Sequence, residues 1–262
     1  MSFDREQLIA AVARSPKLVA AHDRAGWVGL FASDGQVNDP VGSKPHDGRQ
    51  EIENFYDTFI APNQLSFNVA NDVVCGMSVM RDLDILSVMA SGVRITVPMH
   101  LRYDLVEENG ALKIRRLYAH WELGEMLKQQ MGSVNGVLTS FQLTPRMLRY
   151  QGVAGVLGFM RGLAGNGRAG KATAVRFLEA LAAGDAAAAG ALLAPDCALE
   201  VPFGTTVGLT ELAAGSRGLT WQKLIGAGDY ASATVQMGPR RGVAVCHFPA
   251  AASSIASVRL FI

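Results

Sequence analysis

One pattern of 13 residues occurs twice in this chain: LFASDGQVNDPVG starting at Leu30 and LLAPDCALEVPFG starting at Leu192. Leu, Ala, Asp, Pro and Gly recur at the same places, and a helical stretch precedes each copy while strand-forming segments follow it. A repeat of this length means one supersecondary unit built twice. The 262 residues therefore read as two domains and a connection rather than one large core. The copies differ at the residue before the shared proline, which is Asp39 in the first and Val201 in the second.

In the first copy the apolar spacing predicts an amphipathic helix from Asp4 to Arg14, interrupted or ended by Pro16. A second helical stretch is expected to about Ala32, then a Ser33-Asp34-Gly35 turn and a short VND strand. GRQEIENFYDTFI returns to helical spacing, with Ile52, Phe55, Tyr56, Phe59 and Ile60 on one face. From Ser66 onward the pattern is that of strands, punctuated at Gly76, Ser91-Gly92 and Asn109-Gly110. Helices followed by an antiparallel meander predict an α+β domain over 1–123. Residues 124–166 read as a loose, glycine-containing helical connector, and 167–262 as a second, degenerate domain of the same type.

Apolar residues make up 49% and charged residues 18% of the chain, enough to build cores and too apolar for disorder. A net charge of +1 without charged blocks offers no electrostatic footprint for nucleic acid. Cys75, Cys197 and Cys246 are isolated and the histidines scattered, so neither a disulfide framework nor a metal site is indicated. Early acids and a short apolar run at the N-terminus argue against a secretory signal, and no apolar run approaches the roughly 18 residues of a membrane span. The expectation is a cytoplasmic protein that needs no cofactor. GNGRAGK at 165–171 mimics a phosphate loop, but Ala172 stands where Ser or Thr would hold magnesium and a helix precedes it, so it reads as a flexible linker. VAGVLGFM, between Arg149 and Arg161, has three readings, on a membrane surface, over a pocket mouth, or packed between the two copies, and the last is the expectation.

The stretch AAHDRAGWVGLFASDGQVNDPVGSKPHDGRQEIENFY, with the strand IRRLYAHWE, resembles the ketosteroid isomerase and polyketide-cyclase type of domain in the nuclear transport factor 2-like superfamily. The resemblance covers most of residues 17–122, and more weakly 167–262. It implies two cone-shaped domains, each a curved antiparallel sheet wrapped around helices to enclose a hydrophobic pocket. In the isomerases an Asp before the proline of this strand abstracts a proton beside a ketone, opposite an oxyanion hole of a Tyr and a protonated Asp. Asp39 matches the base. The tyrosine position on the first helix falls at about Ser15, and the protonated-acid position at Leu101 or Tyr103.

Asp39 is therefore read as the general base, against the simpler role of a turn acceptor. Alternation places Ile95, Val97, Met99, Leu101, Tyr103 and Leu105 on one face of a strand, and His100, Arg102 and Asp104 on the other. The apolar face should line the pocket, making Tyr103 the first candidate for an oxyanion donor. His100 is expected at an interface, unless a β-bulge between Pro98 and Tyr103 turns it inward as a donor. Leu117 and Trp121 fall on the pocket side of their strand, and Tyr56 matches a tyrosine that supports the isomerase pocket. The expected activity is isomerase-like or lyase- and cyclase-like acid–base chemistry on a hydrophobic cyclic or aromatic carbonyl compound. The alternative is a non-catalytic protein of the same fold that binds a hydrophobic ligand or supports an assembly. No nucleic acid or membrane partner is expected; a homodimer is an option, with the second copy as an internal dimer partner.

Overall fold

The computed structural model describes residues 3–89, 92–131, 134–165, 167–249 and 253–262, so Ser91 and Asn166, both within features singled out above, lie outside it. Helix α1 (Arg5–Ala20) starts at a capping box in which the Asp4 carboxylate accepts from the Gln7 amide and the Gln7 side chain accepts from the Asp4 amide. Its buried face carries Leu8, Val12, Ser15 and Val19. Pro16 lies inside this helix rather than ending it. An interior proline costs a helix about 3 kcal/mol; α1 continues because Val12 before it and Val19 after it are anchored in one core.

A short α2 (Arg24–Val28) leads into β1 (Phe31–Asn38). The helix expected to reach Ala32 therefore stops four residues earlier, and Ser33-Asp34-Gly35 lies inside the strand. These turn-prone residues form a bulge, because Glu108 accepts from the Ser33 amide and Arg115 holds Asp34 at 2.8 Å. Then come β2 (His46–Asp47), α3 (Gly48–Phe55) with a π-helical extension over Tyr56–Ile60, β3 (Gln64–Cys75), β4 (Ser78–Val88), β5 (Arg94–Glu108) and β6 (Ala111–His120). They form one sheet in the order β2-β1-β6-β5-β4-β3, antiparallel except for the parallel pair β1 and β6.

Helices α4 (Leu123–Met131) and α5 (Val134–Met160) follow, then α6 (Gly167–Ala183) and α7 (Ala186–Gly190). The second sheet comprises β7 (Leu193–Glu200), β8 (Thr220–Ala227), β9 (Tyr230–Met237), β10 (Arg240–His247) and β11 (Ile255–Phe261), with α8 (Leu209–Gly215) between β7 and β8. Its order, β7-β11-β10-β9-β8, repeats the first sheet, down to a parallel pair, β7 with β11, that carries a register shift. Two α+β units, each a sheet wrapped around helices, are thus present. The wholly antiparallel sheets expected are corrected by one parallel pairing in each.

The two sheets meet through the faces turned away from their helices. Met80, Val243, Val245 and Phe261 form an apolar patch there. Beside it, His100 is fully buried, with Nδ1 2.8 Å from Ser232 Oγ and Nε2 3.0 Å from Thr234 Oγ1. Burial lowers His100 to about 4 and His120, in the same layer, to about 3. Both are neutral in the native state but take a proton in the unfolded chain once the pH falls below about 6.5. Their contribution is therefore lost as the pH drops from 6.5 towards 4. Asp39, raised to about 6, acts in the opposite direction over the same window. With His46, which burial also lowers to about 4, three histidines at about 2 kcal/mol each, less about 2 kcal/mol from Asp39, predict that stability at pH 4.5 is about 4 kcal/mol below that at pH 7. Urea unfolding at the two pH values measures this, and equal midpoints would contradict it.

Candidate active site

Strand β1 delivers its last residues to alternate sides. Val37 enters the first core, Asn38 faces the second sheet, and Asp39 enters the interior of the first domain. The loop after it is fixed locally: Ser43 Oγ donates to the Pro40 carbonyl at 2.6 Å, and Asn38 Nδ2 donates to the Ser43 carbonyl at 3.0 Å. The Val41 amide donates to the Ala119 carbonyl at 2.9 Å, which ties the strand exit to β6.

Asp39 opens into a cavity of about 190 Å³ between α1, the α3 region and the concave face of β3 to β6. Leu101, Leu117, Met99 and Phe67 are among its many apolar walls. Trp121 Nε1 donates to Asp39 Oδ1 at 2.5 Å, and among the described residues no other hydrogen bond reaches this carboxylate. Asp39 keeps some accessible surface, but that surface faces the cavity and protein surrounds it otherwise. Burial therefore pushes it up to about 6, although the Trp121 bond pulls the other way.

Tyr103 lines the same cavity and is 1% exposed. Burial holds its phenol above the ordinary value, so it is a protonated donor at neutral pH; the Arg81 guanidinium and a hydrogen bond with Ser15 act against that shift. Ser15 also accepts from Trp27 Nε1 at 3.1 Å. Trp27 is a donor only, which leaves the Ser15 hydroxyl hydrogen for Tyr103 and the phenol hydrogen for the cavity.

Other expected residues sit elsewhere. Tyr56 does not line the cavity; it packs behind Trp27 at 5.6 Å between ring centroids, and its buried hydroxyl has no partner among the described residues. His100 is corrected as a donor, because β5 runs in register with β4 from Arg94 to Asp104 and no bulge turns it inward. VAGVLGFM does not separate the two copies. It covers the first domain, where Phe159 stacks on Phe59 at 5.2 Å and lines the cavity, and the Gly158 carbonyl accepts from the Lys44 amide. Arg146, on the same α5, also reaches the lining. From Gly167 onward GNGRAGK is helix rather than flexible linker: Gly167 opens α6, and Lys171 pairs with Glu122 at 2.6 Å.

Sequence reasoning noted Ser15 only for its missing phenol, set aside the reading that placed Phe159 over the pocket mouth, and passed over Trp27 and Arg146. Ser15 carried a readable signal, since Leu8, Val12, Ser15 and Val19 follow helical spacing and a hydroxyl on that stripe needs a buried partner. In the second domain Val201 packs beside a core of Phe177, Leu181, Leu199, Phe248 and Leu260. Among the described residues no three metal-ligating side chains are brought together, and no helix is long and apolar enough to cross a membrane.

The family model for the nuclear transport factor 2 (NTF2) domain matches residues 9–104. That for the SnoaL-like domain matches residues 174–252. Among solved structures, the chain is similar to a Δ5-3-ketosteroid isomerase from Mycobacterium sp. at 27% identity, covering 45% of this chain and 95% of that one, with a TM-score of 0.41. It is similar to a Mycobacterium tuberculosis protein in complex with estradiol-17beta-hemisuccinate at 26% identity, covering 46% and 96%, with a TM-score of 0.41. A computationally designed 17-OHP binder matches at 24% identity, covering 46% and 95%, with a TM-score of 0.42.

Proposed function

We propose that this chain, which belongs to the nuclear transport factor 2-like superfamily as two domains in tandem, is a cofactor-free acid–base enzyme acting on a hydrophobic cyclic or aromatic carbonyl compound. The observation that carries this reading is a carboxylate at the wall of an apolar cavity, held by one hydrogen bond and raised to about 6. At neutral pH such a group is ionised, yet it is a stronger base than a carboxylate in water, which suits proton abstraction.

With Trp121 engaged on Oδ1, Asp39 Oδ2 faces the ligand. It takes a proton from the carbon next to the carbonyl; the C–H electron pair forms the new C=C bond and the carbonyl π pair moves onto the oxygen. Tyr103 donates its phenol hydrogen to that oxyanion, while Ser15 and Trp27 hold the phenol in place. Asp39 then returns the proton to another carbon, which is isomerisation. In the lyase or cyclase variant the enolate expels a leaving group or attacks an internal carbonyl. Val201 takes no proton, so the second domain contributes packing to this reaction rather than a second base.

A planar naphtholate mimics the enolate, and 2-naphthol tests the donor. In the Asp39→Asn background, where the amide imitates the protonated acid, Tyr103→Phe is expected to weaken naphtholate binding by about tenfold or more, as removing a hydrogen bond to a charged oxygen does. Unchanged affinity would remove Tyr103 from the oxyanion role.

A further inference from the structure

A second, smaller cavity of about 90 Å³ lies between the two sheets. Arg102, Tyr118 and His120 line it from the first domain, and Tyr230 and Arg259 from the second. Asn38 lines it too, its amide already committed to the Ser43 carbonyl. Among the described residues no carboxylate lines it. Arg102 gives Nε and Nη2 to Asp104, both at 2.7 Å, and is stacked over the Phe203 ring at 4.5 Å, so it is rigidly presented while Nη1 is unused among the described residues. Among the described residues Arg259 spends only Nε, on Glu200 at 3.3 Å.

The decisive atom is His120 Nδ1. His120 is 3% exposed, lines this cavity, and among the described residues has no hydrogen-bond partner for Nδ1. A buried polar atom left without a partner is costly. The Tyr230 ring packs edge-on against the imidazole at 5.6 Å and fixes its orientation. Two guanidiniums, two phenols and an unpartnered imidazole nitrogen line this one space, a set rich in donors. Such a set is complementary to a group with several acceptor oxygens and a negative charge.

We propose that this cavity is a binding site for a small oxyanion, a phosphate or a short carboxylate, held jointly by the two domains. One oxygen accepts from His120 Nδ1–H, and the others meet Arg102 Nη1, Arg259 and the tyrosine hydroxyls. Asp104 and Glu200 offset part of the guanidinium charge, so the affinity is modest and the geometry selects small ligands. The site backs onto the candidate active site across two strands, with Asp39 directly after Asn38 where β1 ends and Trp121 directly after His120 where β6 ends.

Titration of the full chain with inorganic phosphate and, separately, acetate tests this, against sodium chloride at matched ionic strength. Calorimetry should give a saturable millimolar isotherm for at least one of the two. Histidine ring nitrogen spectra should shift at His120 and leave His46 in place. Phosphate alone would select a tetrahedral ligand, and acetate alone a carboxylate. Arg259→Gln is expected to weaken the isotherm at least tenfold, and Tyr230→Phe, which keeps the ring packing, several-fold. The proposal is overturned if neither anion moves His120 beyond the chloride control, or if both variants bind as the unaltered chain does.

Discussion

Asp39→Asn is expected to make the protein more stable above pH 6, by about 2 kcal/mol, while removing about 10³-fold in proton-abstraction rate. The sign follows from the raised folded value. In the unfolded chain the carboxyl ionises near 3.8, but in the cavity only near 6. The native state therefore loses stability as the pH rises from 3.8 to 6 and carries the whole cost above 6. The full shift corresponds to about 3 kcal/mol, discounted to about 2 because the group keeps accessible surface on its cavity side. An amide in its place still accepts from Trp121 and removes the buried charge. Urea denaturation of both proteins at pH 8 and pH 4 measures the difference, which should vanish at the lower pH. If the variant were weaker at pH 8, Asp39 would be an acceptor that supports its loop, and the base reading would lose its physical ground.

The largest destabilisation is expected at the contact between the sheets. Asp82 is 1% exposed, with Lys223 at 2.8 Å, Arg241 at 2.9 Å and Thr234 at 3.0 Å. Burial alone would raise this carboxyl, but the Lys223 and Arg241 bonds more than offset that and hold it below the ordinary range. Its contribution is present above the ordinary carboxylate value and is lost as the pH falls through the lower, folded one. Asp82→Ala leaves two cations without their shared anion, a change that typically costs 3–5 kcal/mol in a buried pair. Lys223 keeps Asp84 at 2.8 Å and Arg241 is partly exposed, so the lower end, about 3 kcal/mol, is expected at pH 7. Chemical denaturation reads this directly, and a loss under about 1 kcal/mol would mean that the charged contact is solvated and the apolar patch alone joins the sheets.

The parts of this fold that were legible are those governed by short-range periodicity. The repeat at Leu30 and Leu192 became two sheets of one topology. The alternation in β5 sent Leu101 and Tyr103 inward and His100 outward, and alternation placed Trp121 on the cavity side. What was not legible depends on partners far along the chain. Pro16 reads locally as a helix stop, and only packing on both sides of it carries α1 onward. Ser33-Asp34-Gly35 reads as a turn until Glu108 and Arg115 hold it inside a strand. Phe159 and Arg146 reach the cavity from a connector whose loose apolar pattern did not choose between the pocket mouth and the seam between the copies. The donor chain Trp27, Ser15, Tyr103 joins a helix stripe, a short helix and a distant strand, so no local motif announces it.

The measurement that bears most directly on the central claim is hydrogen–deuterium exchange at the α-carbon of a panel of cyclic and aryl ketones in deuterated water, with the unaltered protein and Asp39→Asn side by side. The account predicts exchange catalysed by the unaltered protein for at least one ketone that fits the cavity, following the ionisation of a group near pH 6 and lost in Asp39→Asn. Exchange that survives in the variant, or no exchange with any ketone while naphthol still binds, would contradict it and make the cavity a ligand-binding site without chemistry.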